Sequence, residues 1–527
     1  MTGTAALHAN QERPRAINKW VVAVTVMFGT FIAVMDTSVV NVSLPHMMGS
    51  FGQDLSSITW VATSYSIAAI ILVTMTGWLS TLLGRKRLYL LSFAVFTAGS
   101  ILSGTARSFP QMLLYRTIQG IGGGALIPVS QAILAETFPT REQGMAMAIY
   151  GMGVVLAPAI GPIFGGWLTD TYGWPWIFYI NVPVSIIGMF MVVAFVEDPA
   201  YLRRGVRRVD WLGIVLLTVA LTGMQIVLER GQVLNWFESR FIVVGAIVSG
   251  LSLLVLIFAE LRTSEPVVNV RILRNVPLTV TSTMGVVFGI GLFGTSFMLP
   301  QFTQVLLGYS AFEAGLVLMP RALTLLIFMP VAGWLYRYLD ARLLVLCGMA
   351  LILWSFYDLA QLSLQVGIWD LVPMLLIMGI GIPFVFVTST SVSLSTVARR
   401  DMTDASSLYT LARTVGGNVG YALIATLMAR GQQVHRANLV GHISSFNPTF
   451  LSYHRQVTAH LTQAGMNPTL APQAGYAYIN AVVNRQATML AYNDVAWVLG
   501  ILFLITVPLI LLLPGRAAGR QSTSAPL

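Results

Sequence analysis

Apolar runs long enough to cross a bilayer recur along the whole chain. They fall near residues 20–44, 57–80, 87–106, 110–134, 143–168, 176–196, 211–229, 241–260, 277–300, 313–336, 342–362, 371–396, 405–428 and 494–513. Roughly 20 residues rising about 1.5 Å each cover a hydrocarbon core of about 30 Å, so each run is a candidate spanning helix. The pattern therefore predicts an all-α polytopic membrane protein with 14 transmembrane helices. Most connections are short. The exception is about 430–492, where Phe450, Leu451, Val457 and Leu461 approximate one helical face. Ile479, Val482, Val483, Ala487 and Leu490 approximate a second, with Gly465 and Asn467-Pro468 between them, which predicts an external helical hairpin.

The runs repeat. Gly77-Trp78-Leu79 returns as Gly333-Trp334-Leu335 at an offset of 256, and Gly120-Ile121-Gly122 as Gly379-Ile380-Gly381 at 259. The shared displacement is eight runs rather than six. This gives two six-helix bundles with two helices inserted between them, and parallel repeats of this kind place a site between the halves near the midplane. The expected division is a tail at 1–19, a first bundle at 20–196, a linker with two inserted helices at 197–276, a second bundle at 277–513 that includes the hairpin, and a tail at 514–527.

Composition agrees with the pattern: 56% of residues are hydrophobic and 9% charged, against about 25% charged in soluble domains. A net charge of +10 invites a nucleic-acid reading, but its placement argues otherwise. Assigned to alternate loop sides, 20 Lys and Arg fall on one side and 7 on the other, with Arg116, Arg321 and Arg413 inside helices. This positive-inside asymmetry predicts both termini in the cytoplasm. The basic segment Glu197–Asp210 reads as a topology determinant that also touches anionic lipid. Cys347 stands alone in an apolar run, so no disulfide framework is expected. No small-residue cleavage site follows the first run, which reads as a retained signal anchor.

Asp36 is the ionisable residue of the first run. An ionised carboxylate at mid-membrane costs on the order of 3 kcal/mol, so it needs a partner, a cavity or a proton. Arg116 of the fourth run stays charged and needs an anion. Near Asp36 it would hold that carboxylate ionised. Moved away, it would let Asp36 take up a proton, which is a physical route to coupling. Other chemistry finds no support. There is no GxxxxGK[ST], and GIGGGA at 120–125 lies in an apolar run without a preceding strand. No nucleophile triad or metal cluster is visible, and His435, His442, His454 and His460 are spaced as surface residues rather than zinc ligands. An enzyme is thus not expected, nor any cofactor. The energy source would be a proton gradient, since one charge crossing about 150 mV releases roughly 3.5 kcal/mol.

The fifth run holds Gly151, Gly153, Pro158, Gly161, Pro162, Gly165 and Gly166, which suits a hinge or a seal between bundles. The loop Gly84-Arg85-Lys86-Arg87 reads equally as a gate latch or as the topology signal alone. Phe288, Phe293, Phe297 and Met298, with Trp354, Phe356, Tyr357 and Asp358, offer the adaptable surface that varied apolar ligands favour.

At these residues the chain resembles a major facilitator drug/proton antiporter of the fourteen-helix type, closest to the EmrB subfamily. Met35-Asp36-Thr37 through Asn41-Val42-Ser43-Leu44-Pro45 resembles the family's helix 1 motif. Leu113 through Gly124 resembles the helix 4 motif, where an arginine like Arg116 is implicated in proton coupling. Ala157-Pro158 through Gly161-Pro162, with Gly165-Gly166, resembles the antiporter motif of helix 5, which implies export. Trp174-Pro175-Trp176-Ile177-Phe178, Asn181-Val182-Pro183 and Leu299-Pro300-Gln301 are also similar. The cytoplasmic motif GxLaDrxGrk is half present: Gly77, Leu79, Gly84, Arg85 and Lys86 fit, but Thr81 stands where the aspartate belongs.

The resemblance implies a major facilitator fold in a bacterial inner membrane, exporting hydrophobic or amphipathic toxic compounds. Candidate substrate-binding residues are Asp36, Asn41, Phe293, Phe297, Gln301, Trp354, Tyr357 and Asp358. Candidate gating residues are Gly77, Gly84, Arg85, Lys86, Gly151, Pro158, Gly161, Pro162 and Gly165. It further implies an EmrA-like periplasmic membrane-fusion adaptor and a TolC-like outer-membrane channel, with the hairpin as the adaptor contact. Two other readings stay open: an exporter dedicated to one substrate, such as a fatty acid or natural product, and a membrane scaffold or receptor that kept the fold.

Overall fold

The computed structural model describes residues 18–198, 209–441, 443–444 and 446–515; the side chains at positions 55, 56, 156, 159, 162, 311 and 312 are not described. His442 and the arginines at 203, 204, 207 and 208 lie outside the described residues. Helices carry almost the whole described chain: α1 (Lys19–Phe51), α2 (Trp60–Leu83), α3 (Arg85–Gly104), α4 (Phe109–Thr137), α5 (Gln143–Tyr172), α6 (Asn181–Phe195), α7 (Trp211–Arg230) and α8 (Arg240–Glu260). There follow α9 (Val276–Gln301), α10 (Ala311–Tyr336), α11 (Ala341–Leu359), α12 (Ile368–Ser395), α13 (Met402–Val440), α14 (Pro448–Gln463) and α15 (Ala471–Thr506).

Twelve segments, α6 counted together with the turn before it as Trp176–Phe195, are long and apolar enough to cross a membrane. With α5 (30 residues) and α13 (39 residues) they complete fourteen long helices, α14 being the short arm of the hairpin. Local chemistry sets many starts. Asn18 accepts from the Trp20 amide, Asp210 from Gly213 and Asn275 from Leu278, and Ser310 with Glu313 forms a capping box. Between α2 and α3, Gly84 adopts φ +84°, a conformation that favours glycine.

Helices α1 to α6 pack as one bundle and α9 to α13 with α15 as another. Close approach between helices depends on small residues, as expected where lipid removes the hydrophobic drive to associate. A Cβ at Gly122 would lie 2.2 Å from the Phe96 nitrogen of α3, and one at Gly124 would lie 2.4 Å from the Ala69 carbonyl of α2. The GIGGGA run is therefore a packing surface. Helix α7 leans on α2 and α13, where Asn418 donates to Gln225 at 2.6 Å. Helix α8 packs on α7 and presents Phe241, Val244, Val248, Leu251, Leu254 and Phe258 outward, the all-round apolar character of a lipid-facing span.

The ends of α1 and α3 that carry Lys19 and Arg85, and the turn with Arg399 just before α13, share one face, here the basic face. The opposite one is the hairpin face. On it, α13 and α15 overrun the bundle as continuous helices, and α14 folds back on α15 through His454 and Tyr476, whose rings stack at 4.0 Å. The hairpin is thus built from extensions of two spans and one short helix, turning at Gly465 and Asn467.

Candidate functional site

Asp36 lies inside the first bundle, 1% exposed, and Arg116 beside it is 0% exposed. Arg116 Nη1 donates to Asp36 Oδ2 at 2.7 Å. Two amides complete the carboxylate's shell: Gln119 Nε2 at 2.8 Å and Asn181 Nδ2 at 2.9 Å, both to Oδ1. Each amide also reaches Ser100 Oγ, which donates to the Phe178 carbonyl. Arg116 has supports of its own. Its Nε donates to the Val61 carbonyl at 3.1 Å, Nη1 also meets Gln119 Oε1 at 2.7 Å, and its guanidinium lies 4.4 Å from the Tyr65 ring centre.

This arrangement follows from helix geometry. Gln119 is three residues beyond Arg116 on α4, so both point to one side. Asn181 opens α6, after the Trp174–Phe178 segment turns the chain back over the bundle. Sequence reasoning brought out the two charges, met Asn181 only as part of a motif, and gave Gln119 and Ser100 no role. Neutral amides in apolar runs carry the same signal, a polar group that must find partners in lipid.

All the anchoring residues belong to one bundle. Rocking the two bundles as rigid bodies would leave the pair closed. Parting it requires movement of α1 against α4.

Hydrogen bonds joining the bundles gather near the basic face. Arg85, buried, pairs with Glu136 of α4 in its own bundle and reaches across with Nε to Thr403 Oγ1 at 2.7 Å and Nη2 to the Arg399 carbonyl at 3.3 Å. Ser406 donates to the Pro128 carbonyl at 2.8 Å and to Gln131 at 2.7 Å, and Ser407 donates to the Val73 carbonyl. Thr81, in place of the motif's aspartate, only returns a bond to Gly77 O. The acid at this corner comes instead from the other bundle: a Cβ at Gly77 would meet Asp404 Oδ1 at 1.6 Å. Lys86 does not take part. Its Nζ donates to Val193 O and its amide to Asp198, both within the first bundle.

The α5 motif divides between two duties. A Cβ at Gly151 would lie 2.7 Å from Phe386 of α12, so Gly151 is an inter-bundle contact. Gly161 and Gly165 instead press on Ser38 and Val39 of α1, inside their own bundle, which corrects their reading as a seal. Helix α5 runs unbroken through Pro158, and the side chain of Pro162 is among those not described.

Substrate candidates scatter. Phe293 and Phe297 of α9 flank Tyr421 of α13, with ring centres 6.3 and 5.6 Å away. Asn41 and Gln301 are exposed near the hairpin-face ends of α1 and α9. Trp354 (61% exposed) and Tyr357 (55%) lie on the outer side of α11, Tyr357 against Trp497 of α15. This corrects their assignment to a central site. Helix α11 packs mainly on α12 and α15, and its aromatic face turns outward. Asp358 lies one residue further along, at the hairpin-face end of α11.

Two buried cations remain. Arg321 donates to Thr295 Oγ1 at 3.2 Å and Ser296 Oγ at 3.0 Å. Arg413 donates across the bundle interface to Tyr150 Oη at 3.3 Å and lies 5.3 Å from the Phe386 ring centre. Among the described residues, neither has a carboxylate within ion-pair distance.

Two six-helix repeats with two helices between them among the described residues, and a buried acid–arginine pair in one repeat, define a secondary transporter of the major facilitator type. The family profile described as "Major Facilitator Superfamily" matches residues 26–421, and the chain belongs to that superfamily. The multidrug export protein EmrB of Escherichia coli (strain K12) is 30% identical over 93% of this chain and 94% of that protein, which places the chain in the EmrB family. The fatty acid resistance protein FarB of Neisseria gonorrhoeae is 29% identical over 93% of this chain and 95% of its own length. A crystal structure of the human organic anion transporter MFSD10 covers 92% of this chain and 99% of its own, with a TM-score of 0.59 and 15% identity, a likeness of fold alone.

Proposed function

We propose that the chain is a proton-coupled antiporter that exports hydrophobic or amphipathic toxic compounds, with Asp36 as proton carrier and Arg116 as its charge partner. The observation that carries this is a fully buried carboxylate whose partner does not depend on it alone. When Asp36 takes a proton, Arg116 still holds the Val61 carbonyl, Gln119 and the Tyr65 face. Protonation therefore neutralises the acid without stranding the arginine, whose uncompensated burial would otherwise cost several kcal/mol. Relatives named for multidrug export over almost the full length support the substrate range.

In this reading the basic face is cytoplasmic, in a bacterial inner membrane, with both chain ends on that side. The closed basic face then bars the cytoplasm while the opposite side exchanges substrate for protons. The hairpin offers a grip for an EmrA-like adaptor that would continue the path to a TolC-like channel.

The test is proton release on adding lipophilic compounds to purified protein in detergent, for wild type and Asp36→Asn. Release from wild type that vanishes in the variant is the expected result. Equal release from both would move coupling to another acid, with Asp358 next in line. An Asp36→Asn protein that keeps full biological activity would instead favour a scaffold.

A further inference from the structure

The first bundle answers its buried charges in kind: Arg116 has Asp36, and Arg85 has Glu136. The interface between the bundles does not. Arg413 is 3% exposed, donates to the neutral Tyr150 hydroxyl and lies over a ring face, and among the described residues its Nη1 has no hydrogen-bond partner. One turn away on α13, Thr410 donates to Gln131, whose Nε2 is also without an acceptor. These orphaned groups are both donors, so what would satisfy them is an acceptor, and for Arg413 an anion.

Around the guanidinium the walls are apolar. Phe386 stacks parallel to Tyr150 at 6.2 Å between ring centres, and Phe288 lies 5.8 Å from Phe386. Tyr150 belongs to one bundle, and Phe386, Phe288 and Arg413 to the other. The cation therefore sits on the surface that parts when the transporter changes state, where a substrate must pass. A fixed positive charge with an unfilled donor, set in an aromatic slot between moving halves, is complementary to an anion with an apolar body.

We propose that Arg413, with Tyr150 and the Phe386–Phe288 floor, is an anion-recognition subsite of the transport path. It selects amphipathic anions whose carboxylate or sulfonate meets the Arg413 guanidinium while the apolar body lies on the aromatic rings. This rests on the exporter reading above and names a substrate class for it.

The experiment is binding of dansyl-labelled undecanoic acid and of its methyl ester to the full-length protein in detergent, followed by dansyl fluorescence above the acid's own titration range. A charged hydrogen bond that the ester cannot make is worth about ten-fold in affinity, so wild type prefers the acid by about that ratio. Arg413→Gln brings the ratio close to one. Arg413→Lys keeps the charge but loses the planar fork, and cuts the ratio about three-fold. It serves if the glutamine variant does not fold. A wild-type ratio near one overturns the proposal. So does a preference undiminished in Arg413→Gln or, where that variant cannot be tested, undiminished in Arg413→Lys. Proton-driven efflux of a panel of lipophilic anions, neutral compounds and cations from wild-type proteoliposomes separates the two readings. If none is moved, the exporter reading fails whatever the ratio. If any is moved and the ratio is near one, only the anion subsite fails.

Discussion

The two bundles are repeats of one design, yet they treat buried charge in opposite ways. In the first, Asp36 of α1 and Arg116 of α4 neutralise one another, with Tyr65 of α2 against the guanidinium. An offset of 256 carries Tyr65 onto Arg321, and offsets of 256 to 259 carry Asp36 onto residues 292–295, among which there is no acid. The cation that stands in the place of Tyr65 is held by Thr295 and Ser296 hydroxyls. One repeat stores a charge pair that can be split by a proton. The other keeps Arg321 and Arg413, which among the described residues have no carboxylate within ion-pair distance. On the reading proposed above, labour is divided: proton handling belongs to the half that pairs Asp36 with Arg116, and attraction for anions to the half whose Arg321 and Arg413 have no carboxylate within ion-pair distance among the described residues.

The comparison can be broken most forcefully at Arg116. Arg116→Met leaves Asp36 buried without its cation and should cost about 3–5 kcal/mol. It should appear as a large drop in the thermal unfolding midpoint in detergent, with most of the drop recovered in the Asp36→Asn/Arg116→Met double variant. No recovery would mean that the two residues are not a unit.

A smaller effect tests how the halves meet. Gly77→Ala forces a methyl group against Asp404 and should open the basic face, shifting the closed-to-open ratio by about ten-fold, or about 1.4 kcal/mol. Spin-label distances between the basic-face ends of α2 and α13 would read it. An unchanged distribution would show that Asp404 swings clear and that the corner holds no latch.

The smallest effect belongs to Arg321→Met. Removing a cation that has no acid should leave the unfolding midpoint within the range of about 1 kcal/mol, or raise it, since apolar replacements of buried charge are often neutral. A loss as large as that of Arg116→Met would mean that Arg321 has an anionic partner after all and would erase the contrast.

The spans were legible because lipid demands long apolar runs, and Asp36 and Arg116 stood out because charge there is costly. The sequence could not tell which side of a helix faces its neighbours. In a membrane the lipid side and the packed side are equally apolar, so Trp354 and Tyr357 read as site residues when they point outward. Glu136 and Asp404 were hidden for another reason: acids near helix ends look like ordinary solvated charges, and only the packing brings them to Arg85 and Gly77. The hairpin was visible as two faces and a break at Gly465. Its merger with the spans was not, because a helix leaving the bilayer changes from apolar to polar without interrupting its backbone.

That merger has a mechanical consequence. At about 1.5 Å per residue, the 39 residues of α13 and the 36 of α15 measure roughly 58 and 54 Å, so each stands some 25 Å clear of a hydrocarbon core of about 30 Å. They act as rigid levers rooted in the second bundle. A tilt of about 10° at the root would sweep the tip sideways by roughly 4 Å over that projecting length. Whatever grips the tip would therefore feel each stroke as a displacement, well away from the lipid in which the stroke is made.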